Sequence, residues 1–387
     1  MNEKIINFAS KLFKQYYSNS FIKIDKIEQK EFGFGDFNNK ISFRHFSFKN
    51  INEFNSYAIS KAPAYISFSS AYYKNPSARP MKNKVWLGSD LIFDLDANDL
   101  DLSCIKIHGN SWVCKNCFDN IKNETIKLIE DFLIPDFGFS KNELKINFSG
   151  NRGYHVHVLN KAVAELDSDA RKQISNYIKA DNIDLEIFFP TLNKRGPLIG
   201  PKPDEFGWGG KLAKTMISLL NKNIEELINL GIEKQIAKKL IKNKAEVIFG
   251  ITTGNWDKIS IPKKSEFWKE ILKKIAIKQS NSIDKNVTND IHHLIRVPDT
   301  LHGETGLIAK TISLNDFDKF DPMNDAIAFD NGQKIKIHVQ NSPKFYMKNI
   351  EFGPFDNEDI EIPLYAGLYL LLKNVGNLRD WMGTKFI

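Results

Sequence analysis

The stretch S-D-L-I-F-D-L-D, residues 89–96, restricts this chain more than any other. Leu91, Phe93 and Leu95 alternate, which predicts a short buried strand with Asp94 and Asp96 together on its other face. Side chains two residues apart in a strand lie roughly 6.5–7 Å apart, so both carboxylates can reach one divalent cation or a pair of them. An apolar strand that ends in two carboxylates on one side is costly unless positive charge stands there. Metal ions bound with a phosphate substrate supply such charge. The same residues also fit a strand end whose aspartates turn into solvent with Asn98 and Asp99.

Directly after this strand come Cys104, His108, Cys114 and Cys117, spaced C-x3-H-x5-C-x2-C. Thiolate and imidazole ligands ending in C-x-x-C suit tetrahedral zinc. All four positions are filled by protein, so the expected site is structural and ties down a small knuckle. The cluster uses all 3 cysteines of the chain. The alternative is free thiols with an unrelated histidine. So few cysteines build no disulfide framework, which points to a reducing, cytoplasmic setting.

The 387 residues suffice for one large or two ordinary domains, and 42% hydrophobic content supports a sizeable core. Lys and Arg number 54 against 47 Asp and Glu, a net charge of +7. That surplus suits a polyanionic partner, and equally a lysine-rich solvated surface. The N-terminus is amphipathic without a cleavable apolar core. The longest apolar run, around Leu364 to Leu372, is too short to span a bilayer, so no membrane association is expected.

Apolar spacing predicts helices over 4–17, 121–134, 211–248 with Gly231 as a break, and 363–372, and Asp167 and Ser168 are expected to cap a helix running to about Ile178. Strands are expected at 41–48, near 65–68, and as a hairpin-like pair near 144–148 and 154–159. Asp290 is expected to cap a short helix bearing Ile291, Leu294 and Ile295, with a final strand after His302. Strands and helices mixed without strict alternation argue for α+β rather than a doubly wound sheet.

Three further constellations carry chemistry. In F-S-G-N-R-G-Y-H-V-H-V, residues 148–158, Gly150 and Gly153 allow a sharp turn between strands. Ser149, Arg152 and His155 add donors, a composition that fits a triphosphate with Arg152 as a planar clamp. A plain hairpin turn also fits the glycines, and His155 with His157 also fits a metal pair or an acid/base pair. Between Ile283 and Leu307, Asp284 is a candidate third metal ligand or an ordinary loop aspartate, and Arg296 and His302 offer positive and donor groups. Neither Arg152 nor His302 has an obvious acidic partner in sequence. The lysine-rich block 211–248 reads as a solvated face or as a brush against nucleic-acid phosphates.

With these motifs in this order, the sequence resembles the catalytic small subunit of archaeal and eukaryotic-type DNA primase. The resemblance is collinear over nearly the whole chain, from L-F-K-Q-Y-Y through W-L-G-S-D-L-I-F-D-L-D, the Cys/His cluster and S-G-N-R-G-Y-H to R-V-P-D-T-L-H-G-E-T-G-L. It implies the primase catalytic fold for residues 1–387, with a zinc knuckle at 103–118 and a helical insertion over about 208–280, where the match is weakest. It implies that Asp94, Asp96 and Asp284 bind the catalytic Mg2+ or Mn2+ pair. It implies that Ser149, Arg152, His155, Arg296 and His302 hold the incoming nucleotide, and that Cys104, His108, Cys114 and Cys117 bind structural zinc. One departure is Asn151, where eukaryotic relatives often carry a second arginine. The implied activity is template-directed primer synthesis on single-stranded DNA from nucleoside triphosphates, in an archaeal cell at replication sites. The implied partner is a large subunit carrying an iron–sulfur cluster, for which this chain keeps no spare cysteine.

Other readings use the same residues. A stand-alone repair or prim-pol type polymerase of the same superfamily would extend ends rather than start chains. A two-metal nuclease also uses paired aspartates, although the Ser–Arg–His loop suits a triphosphate better. A zinc-containing DNA-binding subunit without activity leaves the three aspartates unexplained.

Overall fold

Asn2 starts the first helix, Glu3–Asn19, its side-chain oxygen accepting from the Ile5 N–H, and Ile5, Phe8, Ala9, Leu12 and Phe13 form the buried stripe. The computed structural model describes residues 1–190, 197–261 and 263–380. Position 262 of the helical stretch expected over 208–280 lies outside them. The described residues fall into two units: those of 1–126, 140–172 and 283–380 form the first, and those of 127–139 and 173–282 the second.

Along the first unit the strands are β1 (Phe32–Gly35), β2 (Phe43–Phe46), β3 (Tyr65–Ser69), β4 (Ala71–Tyr73), β5 (Trp86–Ser89), β6 (Leu91–Asp96), β7 (Leu144–Phe148), β8 (Gly153–Val158), β9 (Leu294–Arg296) and β10 (Thr311–Ile312). Towards the C-terminus follow β11 (Lys334–Ser342), β12 (Phe345–Met347), β13 (Ile350–Phe352), β14 (Phe355–Pro363) and β15 (Gly376–Asp380). Two four-stranded antiparallel sheets carry the site, in the orders β2-β1-β3-β9 and β10-β7-β8-β6. A third sheet, β14-β11-β15, packs against the apolar helix Leu364–Leu372. Antiparallel sheets mixed with helices make the chain α+β, as the sequence pattern implies.

The acidic stretch is not one strand. It breaks at Asp90, between β5 and β6, where Arg171 holds the bend. The fully buried Arg171 guanidinium donates to the carbonyls of Ser89 and Asp90, each at 2.8 Å. Beyond the break, Leu91, Phe93 and Leu95 are completely buried, while Asp94 and Asp96 keep partial exposure on the opposite face.

Three local expectations need correction. The helix near 290 is Lys285–Asn289 and is capped by Asp284, not Asp290, while Leu294–Arg296 forms β9 against β3. So few apolar residues cannot reveal their period, and pairing with β3 decides for strand. The helix expected over 121–134 begins at Lys115 and widens into a π-type turn at Leu128–Leu133. The strand after His302 is β10, and it is not the final one, because β11 to β15 follow it.

The second unit is mainly helical, with helices Gly207–Asn221, Ile224–Asn229, Lys234–Lys242, Lys244–Thr253 and Lys264–Gln279. Its core includes Trp256 and Trp268, edge to face at 4.9 Å. Gly231 breaks the helical run with φ +85°. In Lys234–Lys242 only Ala237 and Leu240 are buried, and Lys234, Lys238, Lys239 and Lys242 face solvent.

Candidate active site

Antiparallel register builds the site. Asp94 pairs with His155 and Asp96 with Gly153 across β6 and β8, which brings the acidic strand end against the 149–153 turn. That turn needs its glycines. Gly150 has φ +84°, and a Cβ there would lie 2.8 Å from the His302 side chain. A Cβ on Gly153 would stand 1.9 Å from the Leu95 carbonyl oxygen, so only glycine lets the two strands close. The Ser149 hydroxyl accepts from the Asn151 and Gly153 N–H groups, each at 3.3 Å. Thr305 donates at 2.6 Å to the Gly150 carbonyl and ties this turn to the His302 loop.

A cavity of about 260 Å3 opens at this junction. Asp94, Asp96, Ser149, Arg152, His155, Arg296 and His302 all line it. Asp284 is not in its wall. The Asp284 N–H donates at 2.9 Å to the Asp94 carbonyl, and its carboxylate accepts from the Asn286 N–H at 2.8 Å as a helix cap. Its charge nonetheless reaches Asp94. Burial first, then the charges of Asp96 and Asp284, push the Asp94 carboxyl up to about 7. Crowded carboxylates of this kind fit a bound cation.

The rest of the cavity wall is positive or donor-rich. The half-buried Arg296 lies 4.9 Å from the Tyr65 ring centroid, and its buried Nε and Nη1 have no hydrogen-bond partner among the described residues. Orphaned guanidinium donors at a cavity fit an anionic ligand. Arg152, contrary to the sequence reading, does have an acidic partner: its Nη2 lies 3.2 Å from an Asp96 oxygen. Its Nη1 donates at 2.7 Å to the Asn110 carbonyl. His155 is buried with Nε2 3.5 Å from Asp94, and burial pulls its pKa down to about 3, so the ring is neutral. Burial, then Arg296, Lys373, Lys40 and Arg152, hold His302 well below its usual pKa. His157, also buried, lines a different cavity with Lys30, Asp90 and Lys145 and does not pair with His155 at one site.

Sequence reasoning missed Lys40, Ser67 and His293 in this wall. The doublet His292–His293, inside the segment that carries Asp284 and Arg296, is the one local signal that pointed there.

Beside the acidic strand, Cys104, His108, Cys114 and Cys117 place their ligand atoms within 4.8 Å of one another. The Cys117 sulfur is 3.4 Å from the Cys104 sulfur, 3.7 Å from the Cys114 sulfur and 3.4 Å from His108 Nε2. A tetrahedral zinc with Zn–S near 2.3 Å has edges of about 3.8 Å, so the set fits that metal. His108 Nδ1 sits 2.8 Å from the Gly109 carbonyl, which favours the tautomer that leaves Nε2 free to ligate.

Paired carboxylates opposite clustered cations, on an antiparallel strand end beside a Cys/His centre, are suited to phosphoryl-transfer chemistry on a polyanion. Comparison with known proteins gives that class a definite family. This chain belongs to the DNA primase small subunit family, whose profile matches residues 93–314. The DNA primase small subunit PriS of Methanothrix thermoacetophila is 33% identical over 398 residues, covering 96% of this chain and 98% of that protein. PriS of Methanococcoides burtonii is 32% identical with the same coverage, and PriS of Picrophilus torridus is 33% identical over 98% of each chain.

Proposed function

We propose that this chain synthesises short primers on single-stranded DNA by two-metal nucleotidyl transfer, as the catalytic subunit of a DNA primase with the primase catalytic fold. The observation that carries the reading is the single cavity shared by Asp94, Asp96, Ser149, Arg152, His155, Arg296 and His302. In this reading Asp94, Asp96 and Asp284 hold two Mg2+ or Mn2+ ions. Such ions, when bound, lower the pKa of the attacking 3′-hydroxyl and offset charge on the leaving pyrophosphate. The remaining work falls to the chain. Arg296 and Arg152 supply planar charge to the triphosphate, and neutral His155 and His302 act as hydrogen-bond partners rather than as cations. Ser149 holds the turn by accepting from the Asn151 and Gly153 N–H groups, which keeps Arg152 in the cavity wall. Two nucleotides and a template must be held together for the first bond, which positioning makes possible.

The Cys/His set is assigned to structural zinc, since all four positions are protein ligands. The relatives are named as small subunits, and the inferred partner is accordingly a large primase subunit. No helix among the described residues is long and apolar enough to cross a membrane.

The deciding assay supplies nucleoside triphosphates and unprimed single-stranded template, with and without divalent metal. Metal-dependent new oligonucleotides are expected. Extension only of an added primer would indicate the stand-alone polymerase, template shortening a nuclease, and a bare mobility shift a binding module. Arg152→Ala and His302→Ala are each expected to weaken nucleotide binding about tenfold or more while leaving template affinity nearly unchanged. Titrations with labelled nucleotide and labelled template separate the two, and lost template affinity with normal nucleotide affinity would count against the assignment.

A further inference from the structure

The polar face of β7 and β8 does not end at His155. Asn147 pairs with His155 and Lys145 with His157, so these side chains stand on the same face as Asp94. The opposite face is apolar, with Phe93, Leu95, Ile146, Phe148, Tyr154 and Val156 buried. Asp94 and His155 line the catalytic cavity, whereas Lys145, Asn147 and His157 line a second one of about 250 Å3. His157 is the half of the H-x-H pair that the proposed chemistry leaves unused.

Two kinds of wall meet in this second cavity. Ile24, Phe68, Leu159 and Pro298 are apolar. Part of the polar wall is satisfied internally. The buried Lys30 ammonium donates to the Ser69 and Ser70 carbonyls at 3.0 and 3.1 Å and pairs with Asp90 at 3.5 Å. Asp90 also accepts from the Tyr72 hydroxyl at 3.0 Å. The Asn147 side-chain oxygen accepts from the Thr311 hydroxyl at 2.8 Å, which leaves its NH2 group for another partner. His157 is 4% exposed, and its Nε2 has no hydrogen-bond partner among the described residues. Burial first, then His155, Lys30 and Lys145, hold its pKa well below the usual value, so the ring is neutral. A buried polar nitrogen left open in a cavity wall is costly unless a ligand or water meets it.

Charges at the solvent end select the ligand. Lys23 and Lys145 are matched there by Asp25 and Asp299. A bare anion would be drawn by the lysines and repelled by the carboxylates, and it would leave the apolar wall unused. An uncharged ligand with a planar apolar body, a hydrogen-bonding edge and hydroxyl groups satisfies every part. We infer that this cavity is a nucleoside site distinct from the catalytic one, with the base edge on His157 and Asn147, the ring against Phe68 and Pro298, and the sugar hydroxyls at the charged mouth. Its volume is at the small end for ligand pockets and suits one base with its sugar. The neutral His157 offers one donor and one acceptor, and Asn147 adds a donor, the mixture that a base edge needs.

Equilibrium titration of the full chain with adenosine, guanosine, cytidine and uridine tests this, with inorganic phosphate as the anion control. At least one nucleoside is expected to saturate at one per chain and to raise the melting temperature. His157→Phe, which removes both ring nitrogens, should weaken that binding about tenfold or more. Leu159→Trp narrows the same cavity from a position 44% exposed and should act in the same direction, so the test holds if His157→Phe does not fold. Arg152→Ala, in the catalytic cavity, should leave nucleoside binding unchanged. The inference falls if no nucleoside saturates or if phosphate alone binds. It falls equally if Arg152→Ala weakens the binding while His157→Phe and Leu159→Trp do not. None of these measurements needs catalysis, so their outcome stands apart from the primer-synthesis reading.

Discussion

Asp284→Asn is expected to fold, to bind single-stranded template, and to lose nucleotidyl transfer by about a thousandfold or more. The substitution is informative because Asp284 has a structural task as well. Its carboxylate caps the helix Lys285–Asn289, and asparagine caps helices as well as aspartate does. The cap survives and only the charge goes. Asp94→Asn and Asp96→Asn should be equally inactive. Priming rates under saturating Mg2+ or Mn2+ are the measurement. Wild-type rates for Asp284→Asn, with the two strand variants dead, would remove Asp284 from the catalytic set.

The same carboxylates carry a pH signature. Asp94 is held protonated up to about 7 by burial and by its acidic neighbours, whereas a free aspartate ionises near 3.9. The metal-free fold therefore binds this proton more tightly than the unfolded chain does. Stability should fall as pH rises from about 4 to about 7 and level off above that. Asp94→Asn should flatten this dependence and raise the melting temperature of the metal-free protein even as it abolishes activity. At subsaturating metal, priming should fall as pH drops below about 7, since proton and metal compete for Asp94. Thermal melts in chelator across that range would refute the charge-crowding account if wild type and Asp94→Asn ran parallel.

Cys114→Ser is expected to lose bound zinc and to lower the melting temperature by roughly 5–10 °C. The reason lies in how little else holds the knuckle. The helix Ser103–His108 buries none of its residues, and Ile107 is 87% exposed. Its apolar anchors are few: Trp112, packed 5.8 Å from the ring centroids of both Phe345 and Tyr369, with the buried Val113 and Phe118. A segment with so small a core needs a metal staple. Elemental analysis and a thermal melt test this together, and full zinc content in the variant would break the ligand assignment.

Much of the site could be read from the chain because its chemistry is local. Strand alternation puts Asp94 and Asp96 on one face whatever surrounds them. The Cys104–Cys117 spacing confines four ligands to fourteen residues, and its geometry follows from that proximity. Gly150 and Gly153 announce a turn that only glycine can make. The resemblance extended this to Asp284, Arg296 and His302, which no local pattern ties to the acidic strand.

Local pattern could not supply what depends on strands meeting. The register that sets Asp96 opposite Gly153 also gives Arg152 its carboxylate partner, although the two lie far apart in sequence. Pairing with β3 turns Leu294–Arg296 into a strand and carries Arg296 onto Tyr65, where the three apolar residues Ile291, Leu294 and Ile295 read equally well as helix. Lys40 and Lys373 are single lysines in a lysine-rich chain, and nothing around either distinguishes it. They matter because a turn after β1 and the end of a C-terminal helix converge on Arg152. Charge acts through space and falls off over a few ångströms, so long-range contacts, rather than sequence neighbours, select which cations face the carboxylates.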